Sequence, residues 1–287
     1  MNPNQLLSTS LVGLSVVAGS WASRAIADDT GDLAMAAQNP VANMISLPLQ
    51  NNTNFKVGPL ERTQNILNIQ PVYPISLNDE WNLITRTILP VVSQPAFTFS
   101  EVAGGGAFAD DFGNFETDRV FGLGDTTFTA FLSPKQSGKI TWGAGPVVLL
   151  PTATDDVLGS DKWGLGPSAV ALAMPGNWVV GSLFSNIWSV GGPGDRDINL
   201  FTWQYFINYN IPDGNGLYLT SAPIINANWE AESSNRWTVP FGGGIGKIFK
   251  IGKQPVNAQV AAYYNVEKPD FGPDWQLRLQ LQLLFPK

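Results

Sequence analysis

The 287-residue sequence contains neither cysteine nor histidine. Absent cysteine excludes disulfide staples and thiolate metal sites, and it leaves the redox compartment open. Absent histidine removes the commonest general base and transition-metal ligand, so Ser-His-Asp catalysis, Cys-His catalysis and ordinary zinc hydrolysis are unavailable. An enzyme built on this chain would depend on carboxylates, lysine, tyrosine or an added cofactor; neither an enzyme nor a cofactor is expected. Charge is scarce too, at 14% of residues against about 25% in soluble domains. The chain therefore meets less water than a soluble protein of its size. Its net charge of −7 and lack of any basic cluster exclude a nucleic-acid partner, because phosphate binding needs grouped Lys and Arg.

Long apolar runs are missing as well. Beyond Leu11 to Ala22 no stretch approaches the roughly 20 apolar residues of a spanning helix, so a membrane protein of this sequence must be a barrel. The run itself reads as a secretory signal over residues 1–27, with Ala25, Ile26 and Ala27 forming an A-x-A site before Asp28. No Lys or Arg precedes it and Arg24 follows it, a departure from the template that also leaves room for a short buried helix. Residues 28–42 are Ala-rich. They read as a disordered leader, a periplasmic helix or a partial plug.

What the chain does have is period-2 alternation. In the last segment Trp275, Leu277, Leu279, Leu281, Leu283 and Phe285 share one parity, while Gln276, Arg278, Gln280 and Gln282 share the other. Successive strand side chains point to opposite faces, so this is a strand with one greasy and one polar side. A strand that ends the chain with an aromatic resembles the signal by which outer-membrane barrels are recognised for assembly, although Pro286 and Lys287 follow Phe285. Alternation and turn punctuation give about 12 strands over residues 43–287. Short connections follow the even strands and longer or more acidic ones follow most of the odd strands, which is the pattern of periplasmic turns and external loops in a barrel with an even strand count. The expected fold is an all-β transmembrane antiparallel barrel of about 12 strands, with a soluble sandwich or propeller as the other reading.

Size and charge choose the faces. A barrel of about 12 strands is too wide for side chains alone to fill, so the polar parity is expected to line a wet lumen. Arg86 and Arg278, facing lipid at mid-depth, would each cost about 2–4 kcal/mol, and so should point inward. The lumen candidates are Gln70, Arg86, Gln204, Asn226, Asn228, Asn257, Gln259, Tyr263, Arg278, Gln280 and Gln282. Their amides and two cations would tolerate neutral polar or weakly anionic solutes. Trp81, Trp142, Trp163, Trp178, Trp237 and Trp275 open strands, where interfacial aromatic girdles belong. Pro71, Pro74, Pro90, Pro146, Pro167, Pro223 and Pro240 fall inside strands and are expected at bulges or strand ends.

Two motifs look like chemistry. The stretch Gly242 to Lys247 imitates a phosphate loop, but Phe241 stands where the first Walker glycine belongs and Ile248 where Ser or Thr should be. Structural glycine in a strand is the better reading. The acidic stretches Asp110 to Asp118 and Asp155 to Asp161 lack the ligand spacing of an EF-hand and read as solvated loops. No metal site is expected.

Three passages, Ile66 to Pro95, Leu150 to Val170 and Tyr218 to Val266, resemble the bacterial family named for the meta-pathway of phenol degradation, whose members are often labelled transporters or neuromedin U. The resemblance spans nearly all of Pro40 to Lys287. It implies an outer-membrane barrel that passes aromatic or other small compounds, and it supplies no site residues. The resulting expectation is a monomeric channel for passive uptake, contacting outer-membrane lipid, lipopolysaccharide, the barrel-assembly machinery and a small-molecule solute. A barrel with a closed lumen, serving a structural or surface-binding role, is the alternative.

Overall fold

Strands with one apolar face and no helix to cover it must bury that face against each other or present it to lipid. In the computed structural model, which describes residues 31, 33–95, 119–136, 138–194 and 197–286, they do both. The strands are β1 Ile45–Val57, β2 Arg62–Ile69, β3 Val72–Ser76, β4 Trp81–Gln94, β5 Val120–Leu123, β6 Thr126–Pro134, β7 Ile140–Leu150 and β8 Trp163–Ala173, then β9 Trp178–Gly191, β10 Asn199–Asn210, β11 Leu217–Ser221, β12 Ile224–Asn228, β13 Trp237–Ile251, β14 Gln254–Glu267 and β15 Trp275–Phe285. Three of the pairs are halves of one interrupted strand. β2 and β3 both pair with β4, β5 and β6 both pair with β4, and β11 and β12 share β10 and β13 as neighbours. Counted this way the ring has 12 spanning strands, each antiparallel to the next. β15 closes it on β1, from Ile45 opposite Phe285 to Phe55 opposite Trp275.

The outward parity is apolar without cover. Phe121 is 74% exposed and Phe241 69%, and Leu165, Phe184, Ile245, Leu279 and Leu281 are exposed beside them. Exposed apolar area on this scale belongs in lipid. Aromatic pairs mark both rims. Trp81 meets Trp142 at 6.0 Å and Trp178 meets Tyr209 at 4.7 Å at the end carrying the short turns, while Trp229 meets Trp237 at 5.6 Å and Tyr264 meets Trp275 at 4.8 Å at the other. In outer-membrane barrels the short-turn end is periplasmic. Lys247 lies on the outward parity and is exposed, near the end of β13.

The prolines divide. Pro71 and Pro223 stand at strand interruptions, and Pro240 at a register shift. Pro90 lies opposite a bulge: between the pairs Ile88–Thr127 and Val91–Leu123, Leu89 and Pro90 face Gly124, Asp125 and Thr126. Pro74, Pro146 and Pro167 sit inside strands, against expectation. Pro146 and Pro167 are cross-strand partners, and the ladder to the flanking strand lapses beside each. There the donor that proline lacks has no acceptor waiting.

The interior is not uniformly wet. Val170, Leu172, Val179 and Leu183 of β8 and β9 pack with Ile84, Phe131 and Phe206 in an apolar cluster that also holds Val41. The opposite wall, from β14 through β15 and β1 to β2, is amide-rich. The N-terminal segment enters between them. Residues 33–37 are helical, Ala34 and Met44 pack on Tyr218, Ile248 and Leu284 near the short-turn end, and Gln38 Nε2 donates to Asn210 Oδ1 at 2.9 Å. Residues 1–30, with the predicted signal, lie outside the described residues, as does the acidic stretch Asp110 to Asp118.

Candidate solute site in the barrel interior

Strand parity brings most of the predicted lumen residues to one place. Gln70, Arg86, Gln204, Asn257, Gln259, Arg278, Gln280 and Gln282 line a single cavity of about 160 Å³ inside the ring. Its floor is the N-terminal segment, from Ala36 to Pro40 with Ala42 and Met44, and its apolar side carries Val72, Leu183 and Phe206.

The two arginines are held differently. Arg278 is 3% exposed. Its Nε donates to Asn52 Oδ1 at 3.1 Å, Nη1 to the Ala222 carbonyl at 2.8 Å and Nη2 to Gln276 Oε1 at 3.0 Å, while the guanidinium lies 4.8 Å from the centre of the Tyr263 ring. Arg86 is only half-buried, and its Nη2 donates to Gln70 Oε1 at 2.6 Å. The Tyr218 hydroxyl donates to Asn257 Oδ1 at 2.8 Å, and Asn257 Nδ2 donates to Gln282 Oε1 at 3.1 Å. Such a chain fixes the amides, so that each presents one orientation to the cavity.

Three predicted residues fall elsewhere. Tyr263 is fully buried beneath Arg278, its hydroxyl accepting from Ala222 N at 3.3 Å. Asn226 takes the Thr202 hydroxyl at 3.0 Å, on the inward parity but outside the cavity. Asn228 accepts from the Glu230 amide at 3.2 Å and shapes the turn after β12. Sequence reading missed Gln50, Asn208 and Thr220, which continue the polar parity, and it missed Leu183, Phe206 and Tyr218, which break it. For the apolar three the only signal was a run without alternation, as in Val179 to Phe184. The six C-terminal residues Trp275, Leu277, Leu279, Leu281, Leu283 and Phe285 all lie on the outward face of the closing strand. The phosphate-loop imitation is plain strand within β13. A Cβ on Gly246 would come 2.1 Å from the Tyr218 ring, so glycine there seats an interior aromatic.

At the rim opposite the N-terminal segment the connection after β7 folds against β5 and the start of β6. Asp125, in the bulge between β5 and β6, accepts from the Ser160 amide and hydroxyl, each at 2.7 Å, and from the Ala153 amide at 3.2 Å. Leu158 is thereby drawn against Gly122 and Gly124, beside the side chains of Pro90 and Val92. At the same rim Lys268 Nζ approaches Asp274 at 2.9 Å and Lys56 Nζ at 3.6 Å. The hydrogen bond from Lys268 holds the Asp274 carboxyl below its usual range, with both lysine charges adding to it and partial desolvation opposing it.

Geometry and sequence agree on the lineage. A family profile described, provisionally, as the MetA-pathway of phenol degradation matches residues 48–282. The chain belongs to this family. No curated protein matches it. Among solved structures, an outer membrane channel from Pseudomonas putida F1 is similar over 86% of this chain and 97% of its own, at 19% identity and a TM-score of 0.57. Lesser likenesses are outer membrane phospholipase A from Escherichia coli, at 13% identity and 0.41 over 88% and 98% of the two chains, and the P. putida toluene transporter TodX, at 10% and 0.43 over 88% and 90%. The family member thus has the fold of a bacterial outer-membrane barrel.

Proposed function

We propose that this family member is an outer-membrane channel that admits small solutes down their gradient and is gated by its own N-terminal segment. The observation that supports it best is the cavity, ringed by the barrel, lined by amides and two guanidinium groups, and floored by residues 36–40 with Ala42 and Met44. A structural scaffold has no use for such a space. The floor meets its neighbours through Ala34, Ala36, Ala37 and Ala42, which bury little apolar area each, and through the larger Leu33, Met35, Val41 and Met44. The fold it shares with the P. putida channel is consistent with this reading.

One observation favours the closed-lumen alternative: the segment occupies the mouth in this conformation. Single-channel conductance separates the two. The cysteine-free background allows Gln38→Cys and Asn210→Cys to be joined by a short bifunctional thiol reagent. Steady openings in the unjoined protein that vanish on cross-linking and return on cleavage of the tether are the expected result. Silence from protein verified as inserted, tethered or free, would leave the scaffold reading standing.

A further inference from the structure

Of the two arginines that line the cavity, Arg86 is the one whose bonding capacity the fold leaves in reserve. A guanidinium has five N–H donors. Arg278 engages all three of its nitrogens with Asn52, Ala222 and Gln276. Arg86 keeps surface open to the cavity beyond its bond to Gln70. Neither arginine forms an ion pair with a described carboxylate; the ion pairs among described residues lie in the rim loops. A cation that no described carboxylate compensates is costly inside a barrel wall unless an anion arrives to match it.

The surroundings narrow what that anion is. Ile84, the inward residue before Arg86 on β4, belongs to the apolar cluster with Leu183 and Phe206, and the latter two line the same cavity as the arginine. Gln70 accepts from Arg86 through Oε1, which leaves its amide nitrogen as a second donor. The free volume is about 160 Å³, close to the roughly 150 Å³ apolar cavity that accommodates benzene in another protein. We propose that the cavity binds a small monocarboxylate with an apolar body the size of one six-membered ring, its carboxylate on Arg86 and Gln70 and its body against Leu183 and Phe206. Its role as cargo rests on the channel reading; its binding does not.

Direct binding tests it on the folded full-length protein in detergent, by calorimetry or ligand-observed NMR, with benzoate, benzyl alcohol and acetate as probes. Benzoate should bind more tightly than either, since each of the others lacks one half of the match. Arg86→Gln should weaken benzoate by about tenfold or more, the scale of a charge-assisted hydrogen bond, and leave benzyl alcohol nearly unchanged. Equal affinity for benzoate and benzyl alcohol in the unaltered protein overturns the proposal, and that comparison stands even where the variant fails to assemble. A conducting pore indifferent to benzoate would sink this inference and spare the channel. Benzoate binding to a silent barrel would do the reverse.

Discussion

Arg86 and Arg278 show how little residue type fixes role. Both occupy the inward parity, as the cost of a lipid-facing guanidinium requires, yet one is a strut and the other a contact. Arg278 ties β15 to Asn52 on β1 and to the β11–β12 interruption at Ala222, and its removal orphans several buried polar atoms. Arg278→Gln should therefore lower stability by about 2–5 kcal/mol, read by urea unfolding in micelles or vesicles, whereas Arg86→Gln should cost no more than about 1 kcal/mol. Equal losses would mean that Arg86 is structural too. The rim offers a pH-dependent contact of the same grain. Because Lys268 and Lys56 hold the Asp274 carboxyl below its unfolded value, their clasp contributes fully above the unfolded pKa of about 4 and is lost as pH falls through the lower, folded value. Carbon-detected NMR titration should show an Asp274 midpoint below that of a free aspartate, and Lys268→Met should move it back up.

At the scale of elements, the strands were legible because lipid enforces a strict period of 2. β15 begins and ends with its alternation, from Trp275 to Phe285, and the ring holds the 12 spanning strands that alternation and turn punctuation call for. The failures have a common cause. Alternation ranks one parity as apolar and assigns it to lipid, but β8, β9 and β10 are apolar at inward positions too, so Val170, Leu183 and Phe206 gave no sign that they face an interior packed by Val41. Proline rules failed where an in-register neighbour was itself proline, since Pro146 opposite Pro167 asks for no ladder bond between them. Loops carry still less pattern. Nothing in the sequence joins Asp125 to Ser160 across 35 residues, yet that contact holds the β7–β8 connection against the β5–β6 bulge. Asp125→Ala should release it and raise conductance or its fluctuations, with the barrel still heat-stable on a gel; unchanged current would show that this connection does not limit the pore.

Over the whole molecule, a closed ring is what lets so acidic and charge-poor a chain sit in lipid. An open sheet would leave one row of backbone donors and acceptors in hydrocarbon, at several kcal/mol per unsatisfied group. Closure depends on the seam between the first and last strands, so the whole chain must be present before the ring can form. Leu49 and Leu281 are directly paired across that seam, and directly opposed residues in an antiparallel pair have Cα atoms about 4.5–5.5 Å apart, within the reach of a disulfide. In a protein with no native cysteine, Leu49→Cys with Leu281→Cys should cross-link within one chain, only after folding in micelles or membranes, and should migrate as a monomer. A dimer band instead would mean that the seam is completed by a second copy, and no cross-link at all in verified folded protein would mean that the first and last strands do not meet at this register.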